Sequence, residues 1–513
     1  MSVGAVILVI IQVIVVIVLL CILLWWLFHH FVWRPFLSGL NPPILNLSLC
    51  ACPTWPLLST KPSNEAEYKA WVRKWYIYGA TWTFFLIWLA LFGVGNLGNS
   101  ASSEGNPNFF VMVALNFLGA IMITPWCVGI TDFCTGLYFI ISRLLAKPLP
   151  NTRKHWEFER FGFLMSLMIV FLLIGLNTSY QWGRDTPLLK TIEVPLARLP
   201  LCLDKLRVFL ITDVHTGPNV SKDFVIQTTN FANSLQPDLV LHVGDGGDGR
   251  PEDIGHSNKP WGDITCPNRY FVTGNHEYMH GNDGSGVPWE NFYETQVGFK
   301  VLHNTAVRMG AAEFPQRSCS ANEHITLVGI PDVSSDDADL TKATSAVSAG
   351  EEWILLSHQP RAFPEAAQQL GDKYVGLQVS GHIHAGQCFP LHPIIYITSG
   401  GLFSGLIQRD KSFLFVSNGN SNWGSRVRLF SSPHATLLIL RHAQTFADEG
   451  KTADLTFTKE VHWAIAGFIF FPLWLSGLLV VYIMERRGSA WWKVHPAEVA
   501  GITDPSSEKD SDL

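Results

Sequence analysis

Charged residues are scarce in this chain, and their scarcity argues against an ordinary soluble protein. They make up 15% of the 513 residues, whereas typical soluble proteins carry roughly 25%. A surplus of positive charge is also missing, because the formal net charge is −6. A nucleic-acid binder normally presents a basic face, so this class is disfavoured. The 48% of hydrophobic and 12% of aromatic residues likewise exclude a disordered chain.

Five long apolar runs account for the missing charge. Each is long enough to cross the ~30 Å hydrocarbon layer of a bilayer as a helix. The first run lacks the basic start and the small-residue cleavage site of a signal peptide, so we interpret it as a span. The runs occupy residues 3–28, 76–95, 109–141, 161–177 and 463–484. The sequence thus predicts a membrane region of four helices within residues 1–180, a C-terminal transmembrane helix at 463–484, and a cytoplasmic, disordered tail at 485–513.

The distribution of Lys and Arg predicts the orientation of these spans. The connecting segments 29–75 and 142–160 each contain five Lys or Arg residues, whereas the segment 96–108 contains none. Because cytoplasmic loops are enriched in these residues, the two basic loops are predicted to lie inside. The segment 178–462 then lies outside, in the lumen or the extracellular space. We therefore expect a multi-pass membrane protein with an extracytosolic domain.

Cysteines in this outer segment are even in number. An even number permits two disulfides in an oxidising compartment, and four unpaired buried thiols are an equally good interpretation. The four residues are Cys202, Cys266, Cys319 and Cys388. The sequence alone does not choose between these alternatives.

The outer segment contains a domain, placed at residues 195–445, in which short β-type runs alternate with segments of helical length. This pattern is typical of an α/β sheet domain. The predicted strands occupy residues 207–212, 239–243, 270–273, 325–328, 353–357 and 377–380. In such domains ligands bind just beyond the carboxyl ends of the strands. Candidate site residues are therefore sought directly after each run.

Five of these strands are followed by side chains that can bind a metal ion. A single histidine is more often an ordinary core or surface residue, but five ordered blocks are improbable by chance. The blocks contain Asp213, His215, Asp245, Asn275, His358, His382 and His384. Mixed imidazole and carboxylate ligands suit Mn, Zn or Fe better than Ca, which prefers oxygen throughout. The sequence therefore predicts a metal centre at one edge of a sheet.

In order, the blocks read D-x-H, G-D, G-N-H, a single H and G-H-x-H, and they resemble the calcineurin-like metallophosphoesterase family over residues 201–440. The resemblance implies a β-sandwich flanked by helices and two divalent metal ions. It assigns one ion to Asp213, His215 and His384, the other to Asn275, His358 and His382, and a bridging role to Asp245. It also implies that His276 gives a proton to the leaving group or stabilises the phosphoryl charge. The alternative for His276 is a residue that only orients a ligand.

The implied reaction is hydrolysis of a phosphate mono- or diester by a hydroxide that bridges the two ions. The partners would be the bilayer and a phosphate-ester substrate, for which a lipid-linked ester is attractive, and not nucleic acid. Two other functions remain open: a binding ectodomain in which the metals only hold the fold, and a transporter with an appended domain. Transport is weakly supported, because Asp132 is the main ionisable residue within the spans.

Several residues around the motifs have a less specific interpretation. Asp248, Glu277 and Asp332 are interpreted as turn residues or as supports for the ligands. Gly246 and Gly247 occupy positions where the family commonly has bulky residues, which affects the fit of the substrate. Four basic residues either supply charge for an anionic substrate or lie on a solvated strand surface: Arg409, Lys411, Arg426 and Arg428.

Overall fold

The structure is a computed structural model, and it describes residues 188–455 except 218–219, 280–283, 369–372, 388–390, 425–427 and 429. The five predicted spans and the C-terminal tail lie outside the described residues. Within the described part, no helix combines the length and the apolar character needed to cross a bilayer.

The described chain forms two six-stranded sheets. The strands of the first sheet are β1 (Leu188–Leu196), β2 (Leu206–Ile211), β3 (Leu239–Val243), β4 (Arg269–Val272), β5 (Lys300–Val301) and β12 (His434–His442). Those of the second are β6 (Thr305–Met309), β7 (Ile325–Gly329), β8 (Trp353–Leu356), β9 (Leu377–Ser380), β10 (Gly405–Arg409) and β11 (Ser412–Val416). Their spatial orders are β1-β12-β2-β3-β4-β5 and β10-β11-β9-β8-β7-β6.

Short helices connect the strands. The α-helices are α1 (Lys222–Ser234), α2 (Pro251–Asn258), α3 (Asn275–Met279), α4 (Val287–Phe292), α5 (Leu340–Ala343), α6 (Phe363–Gln368), α7 (His392–Thr398) and α8 (Ala443–Asp448). Single turns of 3-10 helix lie at Leu201–Leu203, Lys259–Asp263, Pro360–Ala362 and His384–Gly386, and a π-helix lies at Tyr293–Val297. Strand β1 begins ahead of residue 195 and α8 extends past residue 445, so the folded domain is slightly longer than the predicted range.

The core lies between the two sheets. Alternate residues of a strand point to opposite faces, and one face of β2, including Val208 and Leu210, packs in the same buried cluster as Leu327 of β7 and Val379 of β9. The other face of each sheet is covered by helices, as where Phe209 shares a buried cluster with Trp289 of α4. The chain therefore forms the helix-flanked β-sandwich that the resemblance implies.

Parallel pairing brings the predicted site residues to one edge. Strands β2, β3 and β4 are parallel neighbours, and so are β7, β8, β9 and β11. All six predicted strands are confirmed to within about one residue at each end, although β11 and five others were not predicted. Because β12 runs antiparallel to β2, its carboxyl end lies at the opposite edge.

One of the two permitted disulfides is present. Cys202 and Cys319 are bonded, with their Cα atoms 5.2 Å apart. The bond ties the 3-10 turn before β2 to the segment between β6 and β7. Cys266 is buried and unpaired among the described residues, and Cys388 lies outside them.

Candidate metal centre

Sharp turns follow the strands that carry the predicted ligands. Five of these ligands have a left-handed backbone: Asp213 (φ 54°), His215 (φ 50°), Asp245 (φ 55°), His382 (φ 69°) and His384 (φ 50°). This conformation is unfavourable for residues other than glycine, at a cost of order 1 kcal/mol each, and it concentrates at functional sites. Because of these turns, the backbone does not continue in the strand direction, and successive polar side chains stay at the sheet edge.

The first group of converging side chains comprises Asp213, His215 and His384. The Nε2 atoms of the two histidines are 3.0 Å apart, and Nε2 of His384 is 3.3 Å from Oδ1 of Asp213. One ligand atom from each of the three residues lies within 4.8 Å of the other two, and all three residues are buried. Three such atoms facing a common point fit the binding of a divalent cation.

The second group comprises Asp245, His358 and His382, whose ligand atoms also lie within 4.8 Å of one another. Oδ2 of Asp245 is 3.1 Å from Nε2 of His358, and Oδ1 of Asn275 is 2.9 Å from Nδ1 of His382. The same Asp245 oxygen lies 3.7 Å from Nε2 of His215 in the first group. The structure therefore brings all seven predicted ligands together, with Asp245 between the two groups.

Glu277 connects two of the motif loops. Its fully buried carboxylate accepts hydrogen bonds from the backbone N–H groups of Gly274 (2.6 Å), Asp245 (2.9 Å) and Gly246 (2.8 Å). These residues belong to the separate G-D and G-N-H blocks. The residue interpreted from sequence as a turn or supporting residue thus joins the bridging aspartate to the Asn275 loop.

Two further backbone contacts orient the ligands themselves. Oδ1 of Asp213 accepts the N–H of His382 at 2.8 Å, which ties the first block to the last. Nδ1 of His358 lies 2.8 Å from the carbonyl oxygen of Val243. A carbonyl only accepts, so Nδ1 donates to it, and Nε2 is left facing Asp245 as the ring atom that a metal ion would bind.

The glycines of the motifs are required by close approach. A Cβ atom on Gly274 would lie 2.2 Å from Oδ1 of Asp245, and one on Gly381 would lie 2.2 Å from Oδ2 of Asp213. Any larger residue would therefore displace an aspartate of the centre. At Gly246 a Cβ would lie 2.2 Å from the hydroxyl oxygen of Tyr293, so Tyr293 occupies the space that a side chain at this position would need.

Asp248 connects a predicted ligand to the predicted catalytic histidine. Its Oδ1 lies 2.8 Å from Nδ1 of His215 and 2.7 Å from Nδ1 of His276. Burial disfavours the charged form of His276, but Asp248 and Asp245 outweigh burial and raise its pKa to about 9. His276 is then protonated at neutral pH, with Nε2 4.0 Å from Oδ2 of Asp245. The cationic form of this imidazole is thus favoured beside Asp245.

The two central carboxylates respond differently to burial. Burial raises the pKa of Asp213, with a further contribution from the charge of Asp245. Burial also acts to raise the pKa of Asp245, but the neighbouring histidines, His358 foremost, hold it well below its usual range. Of these two carboxylates, Asp245, which lies between the two groups, is therefore the one that stays ionised more readily.

Arg428 corrects one of the alternatives drawn from sequence. Its guanidinium is buried, donates to the carbonyl oxygen of His384 at 2.9 Å and lies 2.9 Å from Nδ1 of the same residue. It therefore does not lie on a solvated strand surface. Burial and then Arg428 hold the pKa of His384 well below its usual range, which keeps the ring neutral. Arg409 and Lys411 are exposed at the β10–β11 turn, and Arg426 lies outside the described residues.

One segment of the site was not predicted. After β11 the chain continues as Ser417-Asn418-Gly419-Asn420, and Oδ1 of Asn420 accepts the N–H of Thr212 at 2.7 Å. A Cβ on Gly419 would lie 2.8 Å from Cβ of Asp213. The signal was present, because the apolar run 413–416 followed by small polar residues repeats the pattern of the other blocks.

Comparison with known proteins agrees with this geometry. Residues 206–386 match the family described as calcineurin-like phosphoesterase. A Bos taurus protein named "Transmembrane protein with metallophosphoesterase domain" is 31% identical over 66% of this chain and 75% of its own length. A Danio rerio protein of the same name is 28% identical over 62% and 72%. A Helicobacter pylori protein named "Uncharacterized metallophosphoesterase" is 28% identical over 57% and 73%.

Two of these relatives are named as transmembrane proteins, which indicates an association of this group with membranes. The matched residues contain all of the blocks from Asp213 to His384, and the similarity to the bovine protein extends well beyond them. The resemblance drawn from the motifs is thereby confirmed. The chain belongs to the calcineurin-like metallophosphoesterase family.

Proposed function

We propose that this chain is a membrane-anchored phosphoesterase that hydrolyses a phosphate mono- or diester at a centre of two divalent metal ions. The observation that carries the proposal is the position of Asp245 between two groups of ligand-type side chains. The first ion would be held by Asp213, His215 and His384, and the second by Asn275, His358 and His382. Asp245 contributes to both.

The donor set fits such ions. Two carboxylates and one neutral amide offset only part of the charge of two divalent cations, so a positive surplus remains for the phosphate. Imidazole and carboxylate donors favour Mn, Zn or Fe. When bound, such ions supply polarisation of the phosphoryl group and activation of the attacking water. No protein nucleophile is required.

His276 has the position and the charge of a general acid. Its Nδ1 faces Asp248, which leaves Nε2 directed toward the centre. Because its pKa is raised to about 9, it holds a proton at neutral pH that it can transfer to the leaving oxygen. Asp248 fixes the ring and supports the charged form, which is the role of the orienting group in a general acid pair.

Localisation and partners are part of the same proposal. The five apolar runs and the names of two relatives support a membrane anchor, and the Lys and Arg distribution supports an extracytosolic catalytic domain. The Cys202–Cys319 disulfide is consistent with an oxidising compartment. The proposed substrate is a phosphate ester, with a lipid-linked ester as one candidate, and not nucleic acid.

The binding-only alternative explains less of the site. A domain whose metals merely hold the fold needs ligands, but it has no need of a protonated imidazole directed at them. The contact of His276 with Asp248 therefore favours catalysis. For the transporter alternative, the described residues offer no specific support.

The proposal is tested with the purified full-length chain and an aryl phosphate ester. We expect hydrolysis that is lost in chelator and restored by Mn, Zn or Fe. Asp245→Ala should reduce the rate to background while membrane insertion remains intact, because the shared carboxylate is removed. The matched control is Asp223→Ala, an exposed aspartate on α1, which should retain full activity. A wild-type chain that is inactive with all three metals would favour the binding-only alternative.

A further inference from the structure

A large aromatic side chain stands exposed beside the proposed general acid. Trp423 is 55% exposed. Its ring meets the ring of His276 at an interplanar angle of 83°, with centroids 6.3 Å apart. Trp residues are usually well covered in folded domains, so an exposed one at a catalytic centre indicates a binding role. The contact places the indole beside the residue that would meet the leaving group.

The backbone around Trp423 is fixed by the segments that carry the ligands. The side-chain amide of Gln387 donates to the carbonyl oxygen of Trp423 at 2.7 Å and accepts its N–H at 2.9 Å. On the other side, the N–H of Ser421 donates to the carbonyl oxygen of Asp213 at 3.3 Å. The indole is thus held on a prearranged backbone, which reduces the ordering cost of a contact with a ligand.

A second exposed apolar side chain follows His276 in the sequence, and the described arginine of the Trp423 loop is directed inward. Met279 is 66% exposed, and its sulfur lies 3.6 Å from Nδ2 of Asn275. The nearby Arg428 directs its guanidinium into the protein, onto His384 and Asn422. An apolar leaving group would cover the exposed indole.

We propose that Trp423 forms the subsite for the leaving group and that the substrate is a phosphate ester whose leaving oxygen carries a flat aromatic group. This inference rests on the proposed hydrolase function. Water adds its oxygen to phosphorus, the ester P–O bond breaks, and the leaving oxygen takes the proton of His276. That proton is replaced from the attacking water. The group attached to the leaving oxygen therefore lies next to His276, where it contacts the indole by edge-to-face or offset stacking.

The test compares three esters with the full-length chain and two variants at this position. For Trp423→Ala we expect kcat/KM to fall about tenfold on phenyl phosphate and 1-naphthyl phosphate, and by less than about twofold on glycerol 3-phosphate. Trp423→Phe should retain most of the activity on the aromatic esters. The control is Leu201→Ala, which removes another exposed apolar side chain before β2 and should change none of the rates.

Inhibition supplies a readout that is independent of the chemical step. In Trp423→Ala we expect phenylphosphonate to bind about tenfold more weakly as a competitive inhibitor, while inhibition by inorganic phosphate is unchanged. An equal loss on all three esters, or no loss on any of them, would overturn the subsite while leaving the hydrolase proposal in place. Failure of that proposal would look different, because the wild-type chain would hydrolyse none of the three esters.

Discussion

Two clusters of charged residues, each around buried side chains, lie at opposite edges of the first sheet, and they are built differently. At the end of β12, the guanidinium of Arg441 donates to Asp204 at 3.0 Å and to Glu449 at 2.7 Å, and it also pairs with Glu193. At the other edge, the central cluster contains carboxylates, an amide and imidazoles, whose ligand-type atoms face one another. The first cluster carries its own cation. The second has the arrangement that an external cation completes.

This difference distinguishes a charged cluster that stabilises the fold from one whose charges would bind metal ions. Burying an ion is costly unless an opposite charge or hydrogen bonds compensate it. Arg441 is compensated entirely by carboxylates of the same chain, so its cluster is complete on folding. At the metal edge, Asp213 and Asp245 are buried together, and left-handed turns hold their side chains there. Changes at the first edge should affect stability, and changes at the second should affect metal binding and rate.

The largest effect among the changes that leave the seven ligands intact is expected for Asp248→Asn. The proton of His276 would lose its ionic partner, and we expect kcat to fall about 100-fold. Because Asp248 helps to raise the pKa of His276 to about 9, activity that needs the protonated ring is lost as the pH rises through that value. In the variant the pKa is lower, so this alkaline loss of kcat should occur at lower pH. An unchanged profile of kcat against pH would contradict the assignment of His276 as the acid.

Glu277→Gln tests the support of the ligand loops at the same edge and leaves all seven proposed ligands unchanged. The amide retains one acceptor oxygen, but it no longer serves three N–H groups. We expect metal affinity to fall roughly 10- to 100-fold, as for other groups that orient a metal ligand. The measurement is a metal titration followed by activity. Exposed Glu294 provides the matched control, since Glu294→Gln should leave the titration unchanged.

Arg441→Met breaks the cluster at the other edge. Its loss removes the cation that Asp204, Glu193 and Glu449 share, although Lys451 still pairs with Glu193 and Glu449. Two of the three partners are about one third exposed, so we expect a loss of about 2 kcal/mol in the free energy of unfolding, below the range for a fully buried pair. Denaturant unfolding provides the measurement. Metal content and kcat of the folded variant should match the wild type, and a loss of metal would break the comparison.

The smallest effect is expected for Glu352→Gln, also remote from the metal edge. Burial raises the pKa of Glu352 to about 7, although Arg198 opposes the shift. In the unfolded chain the carboxyl group of Glu352 titrates at its ordinary, lower pKa. At a pH between the two pKa values, the folded chain therefore holds one more proton than the unfolded chain. Stability from this group is therefore present at low pH and is lost as the pH rises toward 7. The melting temperature of the variant should depend less on pH between about 5 and 8; an identical dependence would contradict the prediction.

Strands and ligands could be predicted because each depends on a local pattern. A short apolar run followed by Asp, His or Asn identifies a strand and its site residue together, and parallel pairing then brings the ends to one edge. Asp213, Asp245 and His382 were found in this way. The segment after β11 carries the same signal, with Asn418 and Asn420 after the run, but none of the five blocks of the family pattern falls on it.

Other features depend on contacts between distant parts of the chain. The pairing of β1 with β12 joins residues more than 200 positions apart, and neither run contains a motif. Arg428 contacts His384 although the two residues are 44 positions apart in the sequence. The double contact of Asp248 with His215 and His276 likewise appears only in three dimensions. Composition and spacing contain no information about which of several basic or acidic residues makes such contacts.

The metal content of the purified chain tests the central claim most directly. After incubation with Mn, Zn or Fe and removal of the free ions, elemental analysis should find two ions per wild-type chain. Asp245→Ala, which removes the carboxylate shared by both groups, should hold fewer. A wild-type chain that binds one ion or none with every metal would contradict the account.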